Sequence, residues 1–463
     1  MMPRLLSVVA REVDGRLDGS DAEVTHVVTD SREAGPGALF VALHGERADG
    51  ARFVPDALRA GAAGALVSEG AAAPAPIGLD RREAPGATVI VASTGEALLR
   101  LGAAEREHIP TCVGVTGANG KTSTKDMGAA VVSRRHRTHA SPGSFNNEIG
   151  LPMTLLGAPP GTEVVVAELG ARRKGDVAML CEIARPEIVV VTNVGVAHLE
   201  IFGSWDVIVE ASAEPVDALS SDGWAVLNAD DRVVAGFRSR SAGQVMTFGV
   251  HAGADVHAAD ISTGPDGAVS FTVVAGDRRA PVTLSVAGEH MVPNALAAIA
   301  VGTILGVSLE DCAAAVGAAK VSRWRMQTFT NADGVRVIND AYNANPESMA
   351  AALKTARIMA GDRRLIAVLG HMAELGPIAD EEHERLGELA ARLPVDRLIA
   401  VGEAAKLIAV AGLREGVEPG EVAAYEDPAH ALADVLEHAL PGDVVLCKGS
   451  RVAGLETLAE ALR

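Results

Sequence analysis

Several short runs of the chain are apolar and rich in branched side chains, at residues 111–115, 164–167, 188–191, 365–369, 398–401 and 444–447. Runs of this kind suit strands covered on both faces, as in parallel sheets. Stretches with helical spacing accompany the last of them, at residues 380–392, 403–411, 428–439 and 453–462. Strand and helix alternating at that period predict a small parallel α/β sheet in the C-terminal third. Between residues 245 and 286 the pattern changes to alternating positions broken by Gly and Asp turns, which predicts antiparallel strands. Nearer the N-terminus, residues 27–32 run from a strand into a polar turn. Residues 38–43 and 64–67 read as strands around a helix at 53–60, and 89–92 as a strand before a helix at 95–107. The expected class is α/β, with boundaries that divide the chain into residues 1–88, 89–320 and 321–463. The stretch 70–86, rich in Ala and Pro, is expected to be an exposed loop near the first boundary.

Composition supports this division. A chain of 463 residues, 48% hydrophobic but only 3% aromatic, can bury several sheets against close-packed helices. Its formal net charge of -19 argues against a nucleic-acid partner, whose phosphates would be repelled. Cys112, Cys181, Cys312 and Cys447 are scattered without any Cys-x-x-Cys pair, so buried reduced thiols are expected rather than disulfides or zinc. The N-terminal residues lack the apolar core of a signal peptide, and the most apolar stretch, 295–307, is too short to span a bilayer of about 30 Å. No membrane insertion is expected; the expected location is the cytoplasm and the expected state a monomer.

One stretch carries the chemistry. After the strand at 111–115 comes Thr116-Gly117-Ala118-Asn119-Gly120-Lys121-Thr122-Ser123-Thr124, followed by a segment, 125–132, that can form a helix. A strand, a glycine loop, then Lys and a hydroxyl at a helix start form a cradle for a phosphate chain. Backbone N–H groups and the helix N-terminus attract the anion, Lys121 reaches the terminal phosphates and the Thr122 hydroxyl is suited to magnesium. Only two residues separate Gly117 from Gly120, so the loop is a compact variant of the usual pattern. The predicted ligands are ATP and Mg2+, with Gly117, Ala118, Asn119, Gly120, Lys121, Thr122 and Ser123 around the phosphates.

Two further strands end in polar residues, one at Glu168 and the other leading through Thr192 and Asn193 to His198. The carboxyl ends of parallel strands are where open α/β sheets bind ligands. Glu168 is an oxygen ligand suited to Mg2+, and His198 a second ligand or a proton shuttle. The polar, glycine-rich segment 141–152 contains Asn146 and Asn147, more amides than a plain connector needs. Arg32 and Arg47, beside turns, could hold an anionic or sugar ligand, although solvated surface arginines are the commoner case.

With these residues laid out, the chain resembles the Mur ligases of peptidoglycan synthesis, most closely the MurF type. The resemblance runs in order through Asp30-Ser31-Arg32, residues 116–124, Asn146-Asn147-Glu148-Ile149-Gly150, Glu168-Leu169-Gly170, Thr192-Asn193-Val194-Gly195 and Ala197-His198-Leu199-Glu200. It continues through Asn228-Ala229-Asp230-Asp231, Asp340-Ala341-Tyr342-Asn343-Ala344-Asn345-Pro346, Met372-Ala373-Glu374-Leu375-Gly376 and Lys448-Gly449-Ser450-Arg451. The resemblance implies a small α/β N-terminal domain for a UDP-sugar, a central P-loop ATPase-like parallel sheet with added antiparallel strands for ATP and Mg2+, and a closing Rossmann-like C-terminal domain. It implies an ATP-dependent ligase whose substrates are UDP-MurNAc-tripeptide and D-Ala-D-Ala, joined through an acyl phosphate. By resemblance Lys121, Glu168 and His198 are catalytic, and Thr122, Glu168 and His198 face the metal. His290, Asn294, Arg325 and Asp340 contact the nucleotide, while Asp30, Ser31, Arg32, Asn146 and Asn147 lie near the UDP-sugar substrate.

The resemblance is incomplete in places. Where the family carries a carbamylated lysine that bridges metals, this chain has Ser212, and no lysine lies between Lys174 and Lys320. Serine cannot hold a carbamate, so either Glu210 or Glu214 substitutes or the activity is altered. Met291 and His371 stand where the family commonly has asparagine and aspartate. Two other readings therefore stay open: an amide ligase of the same superfamily with a different acceptor, and a catalytically silent nucleotide-binding homologue.

Overall fold

The structure is a computed structural model that describes residues 1–45, 48–70 and 87–463. Arg47 and nearly all of the Ala/Pro-rich stretch fall outside the described residues. The chain is α/β, its sheets dominated by parallel pairs, and it divides into two compact units.

The first unit comprises residues 1–114, 136–170 and 176–188. Its five-stranded sheet has the order Arg16–Asp18, Ala87–Val91, Gly64–Ser68, Ala38–Val41, His26–Val28. The last four strands are parallel and only Arg16–Asp18 is antiparallel to its neighbour. Strand alternation sends Leu39 and Val41 into one core with Leu6, Leu66 and Leu98, while Phe40 enters a second core with Val54 and Ala57. Both faces are therefore filled, which is why these strands read as unbroken apolar runs. Thr138–Ala140 pairs in parallel with Val164–Glu168 in the same unit.

The second unit comprises residues 115–135, 171–175 and 189–463. Trp224–Asn228, Gln244–Gly249 and Val256–Thr263 pair in parallel, and Ala268–Ala275 and Arg278–Ala287 continue the sheet antiparallel. The expected antiparallel run therefore begins one strand later than the alternation suggested, because Gln244–Gly249 still belongs to the parallel part. Helix Val292–Ile304 is buried almost all round and packs on Lys121–Val132 and Leu309–Ala318. A Cβ at Gly302 would fall 2.3 Å from Val131 Cγ1, so glycine permits that close approach.

A six-stranded sheet in this unit runs Gln327–Thr330, Arg336–Asn339, Val444–Lys448, Leu365–Gly370, Arg397–Val401, Val422–Tyr425. All its pairs are parallel except the first. The carboxyl ends of three strands bring Asp340, His371 and Lys448 to one end of the sheet. All four cysteines are buried and none forms a disulfide; burial pushes the Cys112 and Cys447 thiols up to about 12. Among the described residues no helix is long and apolar enough to cross a membrane.

Candidate functional site

Strand Thr111–Thr116 ends and helix Lys121–Val132 begins within one short loop. The helix starts at Lys121, earlier than the predicted 125, so Thr122 and Ser123 lie in its first turn, at the positive end of the helix. Both loop glycines are required by space. Gly117 has φ 131° and Gly120 φ 81°, and added Cβ atoms would fall 2.1 Å from Thr192 Oγ1 and 2.2 Å from Asn294 Oδ1.

The end of the neighbouring strand ties the loop down. Thr192 Oγ1 donates to Thr116 O at 3.1 Å and to Asn119 O at 2.6 Å, and Asn119 N–H donates to Asn193 Oδ1 at 2.7 Å. That strand end is itself held, since Asn228 Nδ2 donates to Thr192 O and Val194 N–H to Asp231 Oδ2. The Asn228-Ala229-Asp230-Asp231 motif thus supports the loop.

Positive charge converges on this loop. Lys121 Nζ lies back on the loop carbonyls, donating to Gly117 O at 2.6 Å and Ala118 O at 3.2 Å. Arg325 Nη2 donates to Thr122 Oγ1 at 2.7 Å while its guanidinium stacks 4.3 Å from the Tyr342 ring centroid. Arg325 sits between two residues in left-handed backbone conformation, Trp324 (φ 61°) and Met326 (φ 51°). Asp340 shapes this turn, accepting from Met326 N–H at 2.9 Å and pairing with buried Lys448 at 2.6 Å. Asn294, also buried, accepts from Thr124 Oγ1 at 3.3 Å. Burial lowers the pKa of neighbouring His290; Asp340 opposes the shift and Lys448 adds to it. The predicted residues Asn294, Arg325 and Asp340 thus all belong to the surroundings of this loop.

His198 has φ 61° and pairs through Nδ1 with Oε2 of Glu374, another left-handed residue at φ 62°. Burial lowers the His198 pKa, Glu374 pulls it upward, and the charges of Lys121 and Arg172 add to the lowering. The influence of Lys121 puts His198 within electrostatic reach of the loop lysine.

The remaining predicted residues belong to the first unit. Glu168 is fully buried at the end of its strand; its Oε1 accepts from Asn146 Nδ2 at 2.8 Å and its N–H donates to Ser141 Oγ at 3.1 Å. Asn147 Oδ1 accepts from the N–H of Gly150, the first residue of the next helix, at 2.8 Å. Asp30 accepts from the backbone and side chain of Arg32, which holds its carboxyl down at about 2, and Ser31 opens the short helical turn between them.

The Thr122 hydroxyl is a neutral oxygen donor of the kind magnesium takes, at a point that already accepts a cationic nitrogen. Among the described residues no cluster of three or more His, Cys, Asp or Glu side chains could hold a metal by themselves. Ser212 donates to Ile208 O at 2.8 Å, an internal helix bond that leaves no metal-bridging carboxylate at that position. Of the two candidate substitutes, Glu210 is bound by Arg240 through both oxygens, at 3.0 and 3.3 Å, whereas Glu214 accepts from Gly175 N–H at 2.6 Å.

Sequence reasoning did not single out Glu374, Tyr342, Lys448 or Asn345 as site residues. Their signal was their position at or just after strand ends in the C-terminal third, the same signal that drew attention to Glu168.

Models of the Mur ligase family match three parts of the chain: the family's catalytic domain over residues 23–109, its middle domain over 115–302 and its glutamate ligase domain over 324–451. A UDP-N-acetylmuramoyl-tripeptide–D-alanyl-D-alanine ligase from Mycobacterium tuberculosis is 42% identical over 96% of this chain and 93% of its own length. A crystal structure of MurF from Acinetobacter baumannii superposes with a TM-score of 0.86 at 33% identity, covering 100% of this chain and 99% of the other. MurF ligase from Thermotoga maritima, solved in complex with ADP, gives 0.79 at 28% identity, with 95% and 97% covered.

Proposed function

The chain belongs to the Mur ligase family, within its MurF type, and on that premise we propose how its own residues carry out the reaction. It is an ATP-dependent ligase that adds D-alanyl-D-alanine to UDP-N-acetylmuramoyl-tripeptide in peptidoglycan precursor synthesis. In our reading the terminal carboxylate of the tripeptide attacks the γ-phosphorus of ATP, and ADP leaves with the bridging oxygen. The dipeptide amine then attacks the acyl carbon, phosphate departs as the C–O bond breaks, and the amine gives up a proton as the amide forms.

A carboxylate and a triphosphate repel each other, so the first step needs preorganised positive charge. Lys121 leaves the carbonyls of Gly117 and Ala118 for the β- and γ-phosphates, and Arg325 covers the oxygens beside Thr122. The N–H groups of Gly120, Lys121, Thr122 and Ser123 bind the phosphate chain. Asn294 and His290 contact the base and Asp340 the ribose. Thr122, Glu168 and His198 would hold Mg2+, which supplies charge neutralisation at the transferring phosphoryl group. Asn146 orients the Glu168 carboxylate and Glu374 the His198 ring. Asp30, Ser31 and Arg32 bind the UDP-sugar within residues 1–88, 89–320 form the nucleotide domain and 321–463 the closing domain. A closing domain is needed because the acyl phosphate hydrolyses in water.

The observation that carries this reading is the convergence of Lys121 and Arg325 on a glycine loop at a helix N-terminus. The test is phosphate release from ATP with UDP-MurNAc-tripeptide and D-Ala-D-Ala together, each omitted in turn. Release that needs all three is expected; nucleotide binding without substrate-dependent release would instead support the silent homologue that Ser212 left open.

A further inference from the structure

Asn345 joins two structures that the reaction treats as separate. It is 4% exposed and caps the long helix Pro346–Ala360, its Oδ1 accepting from Ser348 N–H at 2.9 Å, while its own N–H donates to Ser348 Oγ at 3.1 Å. Its other amide atom, Nδ2, donates to Asn119 Oδ1 in the glycine loop at 2.7 Å. Asn119 is also pinned through its backbone, by Asn193 Oδ1 at its N–H and by Thr192 Oγ1 and Asn193 Nδ2 at its carbonyl.

The two ends of an amide side chain are chemically distinct, and hydrogen-bond partners decide which way it turns. Ser348 N–H can only donate, so Asn345 must offer it Oδ1. Nδ2 is then the end that meets Asn119, and a donor there requires Asn119 to answer with Oδ1. The orientation passes along the pair and leaves the Asn119 Nδ2 group, with its two N–H donors, for an anionic ligand.

We propose that Asn345 is a positioning residue for the nucleotide. Through a helix cap it fixes the amide orientation of Asn119, so that the loop presents a donor to a phosphate oxygen rather than a carbonyl. The inference rests on the reading of residues 117–122 as the ATP site and adds a residue from outside that loop to it.

The test is calorimetric titration of the full chain with a non-hydrolysable ATP analogue and Mg2+, beside thermal unfolding and steady-state kinetics. Asn345→Ser keeps a good helix cap but is too short to reach Asn119. Asn345→Asp keeps the cap and presents only acceptors, so Asn119 must turn its amide over and show Oδ1 to the phosphates. The expected order of analogue affinity is parent, then Asn345→Ser weaker by about threefold to tenfold, then Asn345→Asp weaker still. Melting temperatures should stay close together and the KM for D-Ala-D-Ala should not change.

Asn119→Ala separates orientation from charge: in that background Asn345→Ser should cost nothing further and Asn345→Asp less than in the parent. Parent-like affinity in Asn345→Ser, or an undiminished Asn345→Asp effect in the Asn119→Ala background, would overturn the proposal. Equal losses in stability and in every KM would overturn it too, in favour of a purely structural cap. Lys121→Ala tests the premise separately. Analogue affinity unchanged in that variant would remove the loop reading and this inference with it, whereas a loss there with parent-like Asn345→Ser removes the inference alone.

Discussion

Arg325 Nη2 lies 2.7 Å from Thr122 Oγ1, the hydroxyl expected to face magnesium, and the same guanidinium stacks on Tyr342. Because flanking residues 324 and 326 both adopt left-handed backbone, the turn that delivers Arg325 is sterically costly and is held by Asp340 at Met326 N–H. Removing one preorganised donor from the charge that develops in a transition state typically costs about 100-fold to 1000-fold in kcat. Arg325→Ala should show a loss of that size in phosphate release. Arg325→Lys should recover little of it, since an ammonium neither forks nor stacks as a guanidinium does. Full rescue by lysine would reduce the role of Arg325 to bare charge.

Glu374 holds His198 from the Met372-Ala373-Glu374-Leu375-Gly376 segment, and its effect on the ring is upward in pKa. Glu374→Ala should therefore lower the His198 pKa further, visible as an acid shift of its imidazole resonance on titration, and reduce kcat more than the KM for ATP. Glu374→Gln should retain the position of the ring but lose the electrostatic part of the shift. A resonance that titrates as in the parent would contradict the contact.

The loop glycines have no room for a side chain. Gly117→Ala would drive a Cβ to 2.1 Å from Thr192 Oγ1 and 2.9 Å from Asn193 O, and Gly120→Ala to 2.2 Å from Asn294 Oδ1, each at a positive φ. The left-handed conformation alone costs a non-glycine residue about 1–2 kcal/mol. Gly117→Ala faces backbone that cannot move aside, whereas Gly120→Ala meets a side chain that can. Both should lose ATP-dependent activity, with the larger drop in thermal stability for Gly117→Ala; equal melting temperatures for parent and both variants would refute the packing argument.

Burial lowers the pKa of His290, so its ordinary value of 6.5 applies only when the chain is unfolded. At a pH just below 6.5 the unfolded state binds a proton that the folded state refuses, and stability must fall as the pH falls through that window. Replacing His290 with Gln removes this contribution. The melting temperature of the variant should decline less steeply than that of the parent between about pH 7 and pH 5; parallel declines would show that His290 contributes nothing there.

Much of this protein was written in local pattern. Unbroken apolar runs located most of the parallel strands, because a strand covered on both faces has no polar position to spare, as Leu39, Phe40 and Val41 illustrate by entering two different cores. The compact glycine loop was legible because phosphate chemistry constrains consecutive residues. The helix after it began four residues early, since Lys121, Thr122 and Ser123 have ambiguous propensity and the loop closure decides where the first turn forms. Gln244–Gly249 was misassigned because alternation reports which face is covered and carries nothing about the direction of the neighbouring strand.

What only the tertiary structure decided is which distant residues meet. Arg325 with Thr122, Glu374 with His198 and Asn345 with Asn119 are separated by 203, 176 and 226 positions. Such pairings depend on how sheets and helices stack, and stacking is set by side-chain shape summed over whole surfaces. Local hydrogen bonding and hydrophobic periodicity are short-ranged, so the sequence could supply the parts of the site while their orientation toward one another had to come from the fold.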